Sequence, residues 1–251
     1  MVQYGFFFDQ SRCYGCHSCA VACKDWYGIP PGPEKLLRIY EWEKGTFPNL
    51  RVHLLGFPCG HCKDPKCIDA CPNHAIYKEE KYGAVLVDPE KCKGTRQCWV
   101  ACPYGTPQFA SQEPGTKMSK CTMCIDRLEQ GLKPLCVMTC SVRAWDFGPL
   151  DDLIKKYGDN RQLEDMPDPS ETKPSIIFKP HAPKKTLVPY NVDEALTLLA
   201  KREGYGKVLP PAFTSKDDVT EVPDGLVGRS KLVMKAKSLE EHMIATRHDD
   251  G

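Results

Sequence analysis

The cysteines of this chain stand in four short groups, and none lies outside them. The 251 residues contain 15 cysteines, a density at which thiols decide much of the fold. The groups are Cys13, Cys16, Cys19 and Cys23; Cys59, Cys62, Cys67 and Cys71; Cys92, Cys98 and Cys102; and Cys121, Cys124, Cys136 and Cys140. Each group therefore offers several thiolates from one short stretch of chain.

The third group repeats the first except at one position. Cys13, Cys16 and Cys19 are separated by two residues each, and the stretch 92–98 would have the same spacing if Thr95 were a cysteine. The pattern therefore indicates an original plan of four groups of four, with Thr95 where a ligand is expected.

The spacing favours iron–sulfur clusters. A C-x2-C-x2-C loop can wrap a cluster and offer three thiolates, and in two-cluster ferredoxins the fourth cysteine of each run binds the other cluster. Cys71 and Cys102 are each followed by proline, as in the bacterial form, whereas Cys23 and Cys140 are not. The outer two groups are therefore less standard than the inner two.

Zinc sites and disulfides are the alternatives. Zinc sites use two separated C-x2-C pairs, without a third cysteine two residues further on. An odd number of cysteines argues against a complete set of disulfides. The first residues contain no basic stretch followed by a long apolar one, so we expect no signal peptide, which also disfavours disulfides.

Charge and hydropathy exclude two classes of partner. The 34 Lys and Arg residues nearly balance the 33 Asp and Glu residues, so no basic excess indicates nucleic acid or an anionic membrane surface. No run approaches the roughly 18 apolar residues that a membrane helix requires. We therefore expect a chain without a membrane span of its own.

Several cationic residues and histidines lie close to the cysteines. A positive charge near a cluster favours its reduced state, but we expect most of these cations to be solvated and Arg96 to have the strongest influence. The cations are Arg12, Lys24, Lys63, Lys66, Lys91, Lys93, Arg96, Lys120 and Arg143. We expect His17, His61 and His74 to be exposed or to support the ligands, not to bind iron.

Local patterns predict an α+β fold with an internal repeat. The runs at 4–8 and 84–88 read as strands, and an aspartate, Asp9 or Asp88, stands four residues before the next group of cysteines. Residues 26–58 contain two strand-like runs that predict a hairpin.

These patterns divide the chain into two ferredoxin modules, an insertion and an extension. Residues 1–25 with 103–150 form module A, 26–58 the inserted hairpin, and 59–102 module B. Residues 103–120, within module A, are expected to be a loop. The proline-rich remainder, 151–251, forms a C-terminal extension.

The extension is either a disordered tail or an extended arm that binds a partner. Helices are expected at 191–203 and 237–246. The apolar run at 175–178 favours the arm, because disordered tails rarely contain such runs.

The cysteine pattern resembles one known family. The order of the groups, the eleven residues between Cys124 and Cys136, and the lost ligand at Thr95 are similar to the four-cluster subunit of the molybdenum or tungsten bis-pterin oxidoreductases of the dimethyl sulfoxide reductase type. The resemblance covers about residues 4–180. It implies two tandem bacterial-type two-cluster ferredoxin modules and no catalytic residue in this chain.

The resemblance also implies a distribution of ligands. Cluster one would take Cys13, Cys16, Cys19 and Cys140; cluster two Cys121, Cys124, Cys136 and Cys23; cluster three Cys59, Cys62, Cys67 and Cys102; and cluster four Cys92, Cys98 and Cys71, with Thr95 at the vacant corner.

Thr95 determines the cofactor expected at cluster four. In nitrate-reductase-like members of the family a tryptophan takes this place and the cluster contains three irons. The resemblance thus implies three [4Fe–4S] clusters and one [3Fe–4S] cluster. The alternative is that the Thr95 hydroxyl or a water molecule holds a fourth iron.

The function that the resemblance implies is relay of single electrons. Cluster one would face a large pterin-containing catalytic subunit, and cluster four a membrane anchor with its quinone or another acceptor. The chain would be membrane-associated through its partners, cytoplasmic, or exported with a partner that carries a signal. Three alternatives remain: the cluster subunit of a soluble two-subunit enzyme resembling pyrogallol–phloroglucinol transhydroxylase, a free polyferredoxin carrier, and a structural role for the clusters without redox activity.

Overall fold

The computed structural model describes residues 2–45 and 50–182 and has the α+β class that the sequence predicts. Its helices are short and its strands form small sheets. In chain order the elements are β1 (Tyr4–Asp9), α1 (Ser18–Trp26), β2 (Arg38–Lys44), β3 (Arg51–Phe57), α2 (Lys66–Asp69), β4 (Ile76–Lys78), β5 (Val85–Val87), α3 (Gln97–Ala101), β6 (Gln108–Phe109), β7 (Met118–Ser119), α4 (Ile125–Leu128), α5 (Leu135–Met138), β8 (Trp145–Pro149), α6 (Leu150–Tyr157) and β9 (Ile176–Lys179).

The largest sheet is built around β1. Its three strands are ordered β8-β1-β9, with β8 antiparallel and β9 parallel to β1. Phe6 and Phe8 belong to the main core, while Phe7 points to the other face and stacks on Tyr157 of α6 at 3.6 Å between ring centroids. The continuous aromatic run of β1 follows from this arrangement, because a strand covered on both faces does not alternate apolar and polar residues.

A second, smaller core surrounds the paired strands β4 and β5. Three cysteines of the second and third groups, Cys71, Cys92 and Cys98, lie in this core beside apolar side chains. Two of these, Phe109 and Met118, come from the short antiparallel pair β6–β7, in a stretch that the sequence predicts to be a loop. Their burial explains the difference, since packing on a distant core is not visible in local sequence.

The predicted hairpin corresponds to β2 and β3. These strands pair antiparallel from Arg38 opposite Phe57 to Lys44 opposite Arg51. Residues 46–49, between the strands, lie outside the described residues. The buried side chains of the pair, including Tyr40 and Leu55, join the main core.

The structure corrects the interpretation of the start of the C-terminal extension. Helix α6 packs on β1, and β9 completes the same sheet, with Ile176, Ile177 and Phe178 at most 1% exposed. The expectation that the run at 175–178 belongs to a partner-binding arm is therefore wrong, because this run closes the open edge of β1 in its own chain. The helices expected at 191–203 and 237–246 lie outside the described residues.

No helix within residues 2–45 and 50–182 is both long enough and apolar enough to cross a membrane. This finding agrees with the hydropathy of those stretches.

Replacing Ile177 with alanine tests the place of β9. The side chain is fully buried against Phe7 and Leu153, so Ile177→Ala should lower the free energy of unfolding by about 2–5 kcal/mol through lost packing and a residual cavity. Denaturant unfolding of the anaerobically purified protein, followed by circular dichroism, measures this loss.

The control for this experiment is Val52→Ala in β3. Val52 is also β-branched and lies in a strand, but half of its surface is exposed, so we expect a change within about 0.5 kcal/mol. Equal effects of the two substitutions would contradict the burial of β9.

Candidate metal centres

The loops of the first and third cysteine groups have the same backbone conformation. Gly15 and Gly94 have φ of 73° and 67°, and two residues later His17 and Arg96 have φ of 59° and 62°. His17 and Arg96 each precede a helix, α1 or α3. The left-handed positions turn the chain back on itself, so each loop curves around a central space.

Thr95 occupies the place that Cys16 has in the first loop. Both residues lie between the two left-handed positions, and both are exposed. Thr95 also lines one cavity together with Cys71, Cys92 and Cys98. The side chain that replaces the expected thiol therefore still faces the site.

The second and fourth groups share another local structure. His61 and Met123 have φ of 41° and 62°, and the backbone N–H of each donates to the Sγ atom two residues earlier, Cys59 or Cys121, at 3.4 Å. The third cysteine of both groups lies in a four-residue helix directly after a proline, α2 or α5.

The strands bring the first group to the fourth and the second to the third. The N–H of Asp9 donates to the carbonyl oxygen of Ala144 at 2.8 Å, and that of Asp88 to Ala75 at 2.7 Å. The N–H groups of the same two alanines donate to the Sγ atoms of the cysteines four residues earlier, at 3.2 Å for Ala144 and 3.4 Å for Ala75. The aspartates of the sequence repeat thus mark equivalent strand pairings.

The thiols are mostly buried, which opposes their ionisation. Burial is the largest cause of every raised thiol pKa, and it raises the pKa of Cys19, Cys23, Cys67 and Cys98 to about 12. The exposed Cys16 is the exception, because hydrogen bonds from Ser18 lower its pKa. A positively charged metal would offset the cost of the buried thiolates.

Electrostatic repulsion between thiols groups them into four sets. After burial, the charges of nearby thiols further raise the pKa of buried thiols in four sets: Cys13 and Cys19, through Cys16 and Cys140; Cys136, through Cys121, Cys124 and Cys23; Cys62, through Cys59, Cys102 and Cys67; and Cys98, through Cys71 and Cys92. Thiols of neighbouring sets also interact, and at Cys121 the charge of Cys59 has a larger effect than that of Cys23 in its own set. The distribution of ligands among the clusters therefore stays a prediction.

The donor sets suit clusters rather than single ions. Among the described residues, no three Cys, His, Asp or Glu side chains converge as ligands of one ion do. A cluster differs in this respect, because its thiolates stand apart at the corners of an inorganic core. The backbone N–H groups that point at Sγ atoms also fit, since such hydrogen bonds stabilise the charge on cluster sulfur.

Histidine and lysine burial could not be predicted from the sequence. His17 and His74 are exposed, but His61 is fully buried, and its Nδ1 accepts a hydrogen bond from the N–H of Val85 at 3.0 Å. Lys120 is only 3% exposed, which corrects the expectation that it is an ordinary solvated lysine. The only indication of this burial in the sequence is that Lys120 directly precedes Cys121.

Comparison with known proteins shows the family of this chain. Residues 50–150 match the 4Fe-4S dicluster domain family. The sequence is 44% identical to the B component of the anaerobic dimethyl sulfoxide reductase of Escherichia coli K12 over 188 residues, which cover 72% of this chain and 90% of the relative. The chain belongs to the iron–sulfur subunit family of dimethyl sulfoxide reductase-type oxidoreductases.

Two further relatives are B components of oxidoreductases as well. The sequence is 39% identical to the corresponding component of the anaerobic dimethyl sulfoxide reductase of Haemophilus influenzae, over 72% of this chain and 91% of the relative. It is 37% identical to the B component of the sulfite dehydrogenase of Allochromatium vinosum, over 61% and 71%. The chain is thus an iron–sulfur electron-transfer subunit of an oxidoreductase complex, not its catalytic subunit.

The left-handed position at Gly94 provides a test of the third loop. A Cβ atom there would lie 2.5 Å from the backbone oxygen of Thr116, too close for the chain to accommodate without moving. Gly94→Ala should therefore lower the iron and sulfide content by that of one cluster, measured on anaerobically purified protein.

Gly28→Ala is the matched control. Gly28 has a similar φ of 61°, but nothing lies within 4 Å of the added carbon. Both variants carry the strain of a left-handed alanine, so the steric contact is the difference between them. Full iron content in Gly94→Ala would show that the loop does not depend on this glycine.

Proposed function

We propose that the chain relays single electrons between a molybdenum or tungsten pterin catalytic subunit and a second acceptor, through three [4Fe–4S] clusters and one [3Fe–4S] cluster. The observation that carries this proposal is the presence of all 15 cysteines in four groups, of which hydrogen bonds between strands bring the first to the fourth and the second to the third. The clusters supply the redox chemistry, and the chain holds, separates and shields them.

The tandem arrangement of modules is part of the proposal. Module A comprises 1–25 with 103–150, and module B comprises 59–102, with the hairpin of 26–58 inserted between them. Support comes from the repeated loop conformations and from the equivalent hydrogen bonds of Asp9 and Asp88. Within each module, one group supplies the glycine-containing loop and the other the helix that follows a proline.

The ligand sets support an order of clusters from one to four. The pairs of thiols that interact between neighbouring sets include Cys19 with Cys23, Cys59 with Cys121, and Cys67 with Cys98. These pairs join sets one and two, two and three, and three and four, respectively. A linear series follows, along which an electron could pass from one cluster to the next.

Exposed apolar side chains accompany both ends of this series. Tyr14 and Val21 lie within the first group and are 58% and 64% exposed, and Val100, within the third group, is 70% exposed. Exposed apolar surface of this kind is typical of protein interfaces. These surfaces support a partner at each end, and the family resemblance assigns cluster one to the catalytic subunit and cluster four to a membrane anchor or other acceptor, with any membrane association provided by partners.

Electron exchange with substrate tests the relay. The complex should contain a pterin subunit whose substrate reoxidises the dithionite-reduced clusters if it is an electron acceptor, or reduces the oxidised clusters if it is an electron donor, whereas the clusters of the chain alone should not respond to that substrate. Clusters that dithionite does not reduce would favour a structural role. A chain that purifies as a monomer would favour a free carrier, and absence of any membrane partner a soluble two-subunit enzyme.

The substitution Thr95→Cys tests the three-iron cluster. If the corner is vacant, the new thiolate should bind a fourth iron, and the three-iron EPR signal of the oxidised protein should disappear. Iron content should rise from about 15 to about 16 atoms per chain.

Thr95→Val is the complementary variant, because it removes the hydroxyl at nearly constant volume. The three-iron signal should be unchanged in Thr95→Val. If instead the hydroxyl holds a fourth iron, the wild-type protein should lack the signal and Thr95→Val should gain it.

A further inference from the structure

Lys120 is a buried cation that precedes the fourth group of cysteines. Its side chain is 3% exposed, and its Nζ donates hydrogen bonds to the carbonyl oxygens of Val85 and, at 2.8 Å, Cys121. Val85 lies in β5, before the third cysteine group, whereas Cys121 belongs to the fourth. The ammonium group therefore joins segments that belong to the two different modules.

No carboxylate neutralises this charge within the described part of the chain, where no ion pair includes Lys120. Asp126 lines a cavity together with Lys120. Its carboxylate accepts hydrogen bonds from other side chains, from Trp26 Nε1 at 2.6 Å and from the Tyr27 hydroxyl at 3.0 Å. His61 lies close enough to Lys120 to be affected by its charge, but it is neutral, because complete burial lowers the pKa of its imidazole well below the usual value. The cation thus needs a negative group that the protein side chains do not supply.

Thiols of two different sets lie within the electrostatic reach of Lys120. Lys120 directly precedes Cys121, of the set of cluster two. Val85, whose carbonyl oxygen accepts a hydrogen bond from Lys120 Nζ, donates its N–H to His61, which stands between Cys59 and Cys62 of the set of cluster three. A buried charge without a partner is costly, whereas a cation between two thiolate-bound clusters faces negative charge on both sides.

We propose that the positive charge of Lys120, at the junction of the two modules, raises the reduction potentials of clusters two and three together. The proposal rests on the ligand sets of the proposed function. Each cluster gains one electron from its neighbour on reduction, without forming or breaking a bond, and so becomes more negative. A fixed positive charge nearby favours that reduced state, so the electron crosses between modules over two clusters stabilised by the same side chain.

The test compares three substitutions in the holo-complex by potentiometric EPR titration. Lys120→Met removes the charge at similar length, Lys120→Gln removes the charge but keeps a donor, and Lys120→Arg keeps both. In Lys120→Met and Lys120→Gln, two of the four clusters should become about tenfold harder to reduce, a fall of about 59 mV for a one-electron couple. Lys120→Arg should keep both potentials close to those of the wild type.

Lys155→Gln in α6 controls for loss of a lysine charge far from the cysteines, because Lys155 is exposed and pairs with Asp152. All four potentials should stay unchanged in this variant. Iron, sulfide and melting temperature are measured for every variant, so that altered assembly is separated from altered potential.

Several results would overturn the inference. These are unchanged potentials in Lys120→Gln, an equal fall in Lys120→Arg, an equal fall of all four potentials, and loss of clusters from all three variants, which would make Lys120 a structural residue only. Failure of the proposed function is distinguishable, because it would appear in the wild-type complex as fewer than four redox-active clusters.

Discussion

Burial of sulfur atoms that must carry negative charge is the constraint on which the rest of the structure depends. Water cannot stabilise thiolates such as those of Cys19 and Cys136, so iron and backbone N–H groups must do so. This requirement explains the left-handed residues that curve the loops and the N–H groups of Ala75 and Ala144 that point at sulfur. It also fits the short helices and small sheets, because clusters add links between segments beside those that the apolar core provides.

The sequence predicted the parts of the fold that depend on local spacing. Loop positions, the α+β class and the strand before each loop followed from the cysteines and from Asp9 and Asp88. The partner of the 175–178 run could not be predicted, because a strand that completes its own sheet and one that pairs with another protein have the same pattern. The burial of Lys120 could not be predicted either, since it depends on β5 and the fourth group meeting in space.

Two departures from a uniform set of clusters bear on the energetics of the relay. Under the proposed ligand sets, Thr95 changes the cluster at one end of the series, and Lys120 acts on the two in the middle. A three-iron cluster usually has a higher potential than its four-iron counterpart, and a buried cation also favours reduction. Both features would lower the energy of an electron inside the chain relative to clusters without them.

The position of β9 has a consequence for the order in which the molecule can form. β1 precedes the other elements, but both of its neighbours, β8 and β9, are made more than 130 residues later. The stretch 59–102 lies within this long loop and contains all the cysteines of the second and third groups, which the proposal assigns to clusters three and four. Residues 59–102 are synthesised before β8 and β9, so this inner stretch can bind iron while β1 still lacks both of its partner strands. Maturation would proceed from the inside outwards, and the site that follows β1 would be among the last to close.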